Sequence, residues 1–177
     1  MSHPTHYHKT SIRLHWITAL LMVAVYACIE LRELYPKGSD IREAFKTWHF
    51  MLGLTVLLLT TFRLYIRAKH RTPAIIPQPS PIAMLSAHLA HAMLYMMMIG
   101  LPLLGWIMLS AAGKPIPFYG LELPPLVNEN EAFAKSIKSL HKTIGTAGYF
   151  LIALHTFAAL FHHYFLKDNT LLRMLKK

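Results

Sequence analysis

The residues that could do chemistry in this chain are its histidines. Twelve of them sit in a sequence of 177 residues that is 54% hydrophobic and only 15% charged. A single cysteine, Cys28, rules out an intrachain disulfide, a Cys-x-x-Cys-His haem attachment and a metal site built from four cysteines. Imidazole is a common metal ligand, and a coordinating group sunk in hydrocarbon is costly unless partnered. The question is which histidines the fold brings to a common depth.

The elements that must position them are four apolar stretches near 14–31, 48–66, 88–110 and 141–165. Each is close to the roughly 20 helical residues that cross a bilayer. Between them, 32–47 is charged, and 67–87 holds Pro73, Pro77, Pro79 and Pro81, which predicts an extended connector. Segment 111–140 starts as a Gly/Pro-rich loop and is expected to be polar and helical from about Glu129. The composition and pattern predict an all-α fold, an integral membrane four-helix bundle forming one transmembrane domain over residues 1–177. The polar start, the long first apolar run and the lack of an Ala-x-Ala-like site argue against a cleaved signal.

Charge sets the expected orientation. The net charge of +10 is unevenly spread. Lys9, Arg13, Arg63, Arg67, Lys69, Arg71, Lys167, Arg173, Lys176 and Lys177 fall on one side against Asp168 alone. Arg32, Lys37, Arg42, Lys46, Lys114, Lys135, Lys138 and Lys142 fall on the other with the seven remaining acids. The positive-inside tendency then places both termini in the cytoplasm. Membrane topology accounts for most of the basic excess, so nucleic-acid binding is not needed to explain it. With Asp168 the only acid expected inside, paired-carboxylate catalysis there is unsupported.

At 1.5 Å per helical residue, depths can be counted. His49 and His141 open the second and fourth spans at the outer face. His155, fourteen residues after His141, lies about 21 Å deeper, and His15, sixteen residues before Leu31, about 24 Å deep. Two pairs result, His49/His141 and His15/His155, each drawn from two helices. Such pairs suit the two axial positions of a b-type haem iron, a six-coordinate arrangement made for electron transfer. Fourteen residues also return a helix to within about 40° of the same face. Gly145, Gly148 and Ile152 lie between His141 and His155 on that face, and Gly53 follows His49 by four. The glycines could admit a flat macrocycle or simply allow close helix packing.

The other histidines read differently. His3, His6 and His8 are expected to be solvated in the tail, and His70 to belong to an interfacial charge belt with Lys69 and Arg71. His88 and His91 share a helix face but supply only two ligands, with no carboxylate or cysteine nearby for zinc. Together with His162 and His163 they are expected near the inner surface, where a quinone headgroup pocket or an interface role is favoured. Met93, Met96, Met97 and Met98 surround the third span as lipid-facing and packing filler, Pro102 is expected to kink it, and Trp16, Trp48 and Trp106 sit near span ends. Lys135, Lys138 and Lys142 follow i, i+3, i+7 beside His141, and Lys46 precedes His49 by three. This collar could neutralise haem propionates, attract a small anionic reactant, or both.

Ser11-Ile12-Arg13-Leu14-His15-Trp16, His49, His88-Leu-Ala-His91 and the run His162-His163-Tyr164-Phe165-Leu166-Lys167-Asp168-Asn169-Thr170-Leu171-Leu172-Arg173-Met174 resemble the bacterial di-haem cytochrome b561 family over essentially the whole chain. The resemblance implies an inner-membrane four-helix bundle with two b haems. It implies that His49 and His141 bind the outer haem and His15 and His155 the inner one. The family includes a superoxide oxidase that passes electrons from superoxide to ubiquinone. On that footing Lys46, Lys135, Lys138 and Lys142 would draw superoxide to the outer face, and His91, His162 and His163 are local candidates for a quinone or inner-face site. No protein partner can be named. Two rival functions are a haem-bearing anchor subunit passing electrons between quinone and a partner dehydrogenase or hydrogenase, and a haem-free metal transporter built on the inner histidines.

Overall fold

The computed structural model describes residues 6–175; His3, Lys176 and Lys177 lie outside them. Four long helices dominate: α1 (Lys9–Leu31), α2 (Asp40–Lys69), α3 (Pro81–Ala111) and α4 (Glu131–Tyr164). All four are long and apolar enough to cross a membrane. They overrun the apolar stretches because local capping, not hydropathy, decides where each begins. His8, Ser39, Ser80 and Asn130 each accept a bond from a first-turn amide, and Pro81 takes a first-turn position of α3, where its missing N–H costs nothing. Residues 40–47, expected as connector, are therefore the first two turns of α2, and the inner connector shortens to 70–80. The α-helix of α3 continues through Pro102.

Segment 111–140 holds an element that hydropathy does not reveal. After the turn at Gly113, a short antiparallel hairpin pairs β1 (Ile116–Phe118) with β2 (Leu121–Leu123). Its two-residue loop, Tyr119-Gly120, has positive φ at both positions, the type I′ combination that matches strand twist and favours glycine at the second. Ile116 packs into a small core with Leu54 of α2 and Leu109 of α3, flanked by Phe50, Trp106, Phe118 and Leu123. Trp106 Nε1 donates to the Pro124 carbonyl, and the Tyr119 and Thr55 hydroxyls meet at 3.0 Å. The hairpin is thereby fastened against the outer ends of α2 and α3.

Helix packing is uneven. α1 packs on α2, α2 on α3 and α3 on α4, whereas α4 makes its extensive contact with α3 alone. Side chains, not backbone, bridge α4 to α1: Tyr26 donates to the Gly145 carbonyl at 2.9 Å, and Tyr149 to Glu30 at 2.6 Å. The bundle is thus a pair of hairpins hinged along α2 and α3, with a gap on the side where α1 and α2 face α4.

The closing segment ties the inner end together. Asp168 is buried and accepts from the Thr170 amide, and its other oxygen meets His162 Nδ1 at 2.5 Å. Asn169 grips the connector three times, through its amide to the Ile76 carbonyl, its Oδ1 to the Ile76 amide and its Nδ2 to the Ala74 carbonyl. Arg173, also buried, donates to the Pro73 carbonyl and lies over the Tyr7 ring. Trp16 Nε1 donates to the Met174 carbonyl. Burial alone would raise the Asp168 carboxyl, but the His162 and Thr170 bonds outweigh it and hold the group below its ordinary value. Because the folded-state value is depressed, this stabilisation is present above the unfolded carboxylate range near pH 4 and fades only as pH falls through the folded value. Arg173→Ala leaves the Pro73 carbonyl without its donor and is expected to cost about 1–3 kcal/mol. The check is limited proteolysis of the 70–80 connector, which should be cut faster in the variant; equal cleavage would count against the clamp.

Candidate redox centre between α4 and the α1–α2 hairpin

The gap is where the histidines meet. At the outer level His49 of α2 faces His141 of α4, with ring centroids 6.2 Å apart and planes at 70°. At the inner level His15 of α1 faces His155 of α4, with centroids 6.3 Å apart and planes at 66°. The structure therefore brings together the pairs that depth counting selects. Two imidazoles sharing one metal atom at about 2 Å from a nitrogen of each would have ring centres up to about 6.4 Å apart, since a nitrogen lies about 1.2 Å from the centre of its ring. Direct hydrogen bonding would draw the rings closer. Among the described residues no group of three or more His, Cys, Asp or Glu could hold a bare metal ion. Each level offers two neighbouring imidazoles, the number of protein ligands that a macrocycle with its own four nitrogens requires.

The surroundings fit a flat apolar group. A cavity of about 1350 Å³ at the outer level is lined by Val25, Tyr26, His49, Gly53, His141 and Gly145, among others. A Cβ built on Gly53 or Gly145 would meet nothing within 4 Å, so both glycines border open space. Gly148 differs: a Cβ there would run into the Tyr26 hydroxyl and come within 2.6 Å of the Met97 sulfur. Of the two glycines between His141 and His155, Gly145 faces the cavity and Gly148 is a packing glycine. Gly105 of α3 gives the His141 ring its seat, with a built Cβ 3.6 Å from Cε1.

Further contacts bear on the orientation of the rings. His49 Nδ1 lies 2.9 Å from the Val25 carbonyl, which fixes the proton on Nδ1 and frees Nε2, the usual support for a metal-bound imidazole. His15 Nδ1 and His141 Nδ1 are buried without a hydrogen-bond partner among the described residues. Val25 offers no sequence signal, because the acceptor is a backbone carbonyl.

The remaining histidines part company. His91 turns inward and stands 5.4 Å from His155, centroid to centroid, while His88 is exposed, so the two do not form a metal pair. His162 belongs to the Asp168 clamp and His163 stacks edge-on against Tyr164. His8 caps α1 and lies flat on His70 at 4.0 Å, so neither is simply a solvated tail or belt residue. Met97 and Met98 are buried and Met93 and Met96 exposed, matching their expected split between packing and lipid.

The outer collar is charged with both signs. Lys46, Lys135, Lys138 and Lys142 all line the cavity, but so do Glu30, Glu33, Glu43, Glu129 and Glu131. Lys46 pairs with Glu43 at 2.6 Å and Lys135 with Glu131 at 2.8 Å. Lys138 and Lys142 have no carboxylate partner among the described residues. Lys114 lines the same cavity and also lacks one, so the unpaired positive charge at the rim lies on Lys138 and Lys142 of α4 together with Lys114.

A family model described as prokaryotic cytochrome b561 matches residues 6–177. The chain belongs to that family. Cytochrome b561 homolog 1 of Escherichia coli K12 is 44% identical over 169 residues, which cover 96% of this chain and 96% of that protein. A probable superoxide oxidase, CybB, of Yersinia pestis is 37% identical over 171 residues, covering 97% and 96%. Cytochrome b561 homolog 2 of Escherichia coli K12 is 28% identical over 182 residues, covering 98% and 93%. This cytochrome b561 chain is accordingly a bacterial membrane electron-transfer protein of a family that binds b-type haem.

The two glycines of α4 make a sharp pair of expectations. Gly148→Ala overpacks the Tyr26–Met97 contact and should cost about 1–3 kcal/mol, read as a lower Tm of the detergent-solubilised protein. Gly145→Ala meets no protein atom but puts a methyl into the cavity, so its effect should appear as lower haem content and not as a lower Tm of the haem-free protein.

Proposed function

We propose that this cytochrome b561 holds two b haems, His49 and His141 as axial ligands of the outer one and His15 and His155 of the inner one. The observation that carries it is the pair of neighbouring imidazoles at each level, 6.2 and 6.3 Å between centroids, facing across the gap beside α4. When bound, haem supplies one-electron redox chemistry. The protein's own part is to hold four imidazoles at two depths, to exclude water with apolar helices, and to bias the outer face electrostatically.

For the reaction, the proposal is oxidation of superoxide at the outer face with reduction of ubiquinone. Two superoxide anions give up two electrons and leave as two molecules of dioxygen. Ubiquinone takes those two electrons and two protons to become the quinol. The similarity to a probable superoxide oxidase supports the donor. The unpaired Lys138 and Lys142 support it physically, because a small anion is drawn to uncompensated positive charge at a cavity mouth. Lys46 and Lys135, tied to Glu43 and Glu131, help less and serve to shape the rim. For the acceptor, His91 beside His155 is the inward-facing candidate, whereas His162 is committed to Asp168. The charge asymmetry supports an inner-membrane placement with both termini in the cytoplasm.

Purified full-length protein should show two haems per chain, become reduced on addition of superoxide, and reoxidise with a soluble quinone analogue. Two haems inert to superoxide would favour the anchor-subunit alternative, and a haem-free preparation from haem-supplied cells would falsify the di-haem assignment. His155→Ala should remove one haem per chain and leave the outer one. Lys138→Glu with Lys142→Glu should slow reduction by superoxide about tenfold at low salt and flatten its ionic-strength dependence, measured by stopped-flow absorbance. An unchanged rate would remove the anion-attracting role.

A further inference from the structure

Helix α2 repeats, with an arginine, the interval that α4 fills with histidines. Arg63 follows His49 by fourteen residues, as His155 follows His141. Both helices descend from the outer to the inner face in this topology. Fourteen residues correspond to about 21 Å and bring a side chain to within about 40° of the same helix face. Arg63 is therefore placed at the inner histidine level on the face of α2 that presents His49. The residue is only partly exposed, as this placement toward the bundle interior requires.

What surrounds Arg63 is incomplete. Its guanidinium stands 5.5 Å from the centre of the Tyr95 ring, and that of Arg67, one helical turn on, stands 5.9 Å from the same ring. Among the described residues neither has a carboxylate, hydroxyl or carbonyl partner. Asp168, the acid at this end of the bundle, is already engaged by His162 and Thr170. A guanidinium has five N–H donors and does not lose its charge, so a ring face alone leaves it poorly compensated within the hydrocarbon layer. Two arginines one turn apart offer a fork suited to carboxylates.

We propose that Arg63, assisted by Arg67, seats the propionate carboxylates of the haem held by His15 and His155. This rests on the di-haem reading above. Arg63 acts as a positioning residue, and its positive charge offsets that of the carboxylates, raising the reduction potential of the inner haem. It also explains why a charge is kept at a depth where α2 otherwise needs none.

The test is haem quantitation with a spectroscopic redox titration of the purified full chain, comparing wild type, Arg63→Met and Arg63→Lys. The expected result is that one of two redox waves falls in Arg63→Met by about tenfold in its one-electron equilibrium, about 59 mV, while the other stays. Arg63→Lys should restore most of the shift. If Arg63→Met instead sheds one haem, retention of both by Arg63→Lys supports the seat equally. Two haems with both waves unmoved in Arg63→Met would overturn it, as would loss of a co-purified anionic phospholipid with unmoved waves, which would assign the arginines to a headgroup. A wild-type chain without haem would overturn the di-haem reading and the seat together, so the two failures are distinguishable.

Discussion

An imidazole placed in hydrocarbon needs a partner, and this bundle is organised around that demand. His15, His49, His91, His141 and His155 sit at the interface where α4 faces α1 and α2, and backbone contact there is replaced by side-chain bridges such as Tyr26 to Gly145 and Tyr149 to Glu30. A fourth helix packed directly on α1 would bury the histidines against apolar side chains with unsatisfied nitrogens. Keeping the helices apart, with Gly53 and Gly145 opening the space further, makes room for a group that satisfies them. The gap weakens the bundle on one side, and other contacts must compensate.

Those contacts lie at the two ends. At the end away from both termini, the hairpin 116–123 wedges against α2 and α3 through Ile116, Leu54 and Leu109. Arg42 knits the α1–α2 connection by donating to the Arg32 and Tyr35 carbonyls at 2.9 Å and pairing with Glu33. At the end that carries both termini, Asp168, Asn169 and Arg173 join the tail, the proline-rich connector and the end of α4. The closing run that carries the family resemblance is thus a mechanical clamp in this structure. The two faces also differ in charge chemistry. The rim of the cavity pairs Lys46 and Lys135 with glutamates and leaves Lys114, Lys138 and Lys142 over, while the opposite level keeps Arg63 and Arg67 without acids among the described residues.

Much of the fold and the heart of the candidate site are legible without coordinates. Helix rise is a constant, so counting residues from span ends places His15 with His155 and His49 with His141. The bilayer also limits the options, since a spanning segment must satisfy its own backbone and here must be helical. Helix limits are less legible, because Ser39, Ser80 and Asn130 start helices in polar segments by capping, which hydropathy does not register. The hairpin is hidden because strands of three residues carry no usable alternation; only Tyr119-Gly120 hints at a turn.

Composition, span length and histidine spacing by themselves determined four membrane helices, their charge asymmetry and two levels of paired imidazole. These are one-dimensional properties: each follows from distance along a helix or from a sum along the chain. Which side of a helix meets which neighbour is different, because it depends on rotations and separations that accumulate across loops. Only the tertiary structure decided that Gly145 opens to the cavity while Gly148 packs on Tyr26, and that His91 turns toward His155 while His88 faces out. It likewise decided that two collar lysines are neutralised and two are not, since an ion pair depends on a few ångströms that no sequence interval specifies.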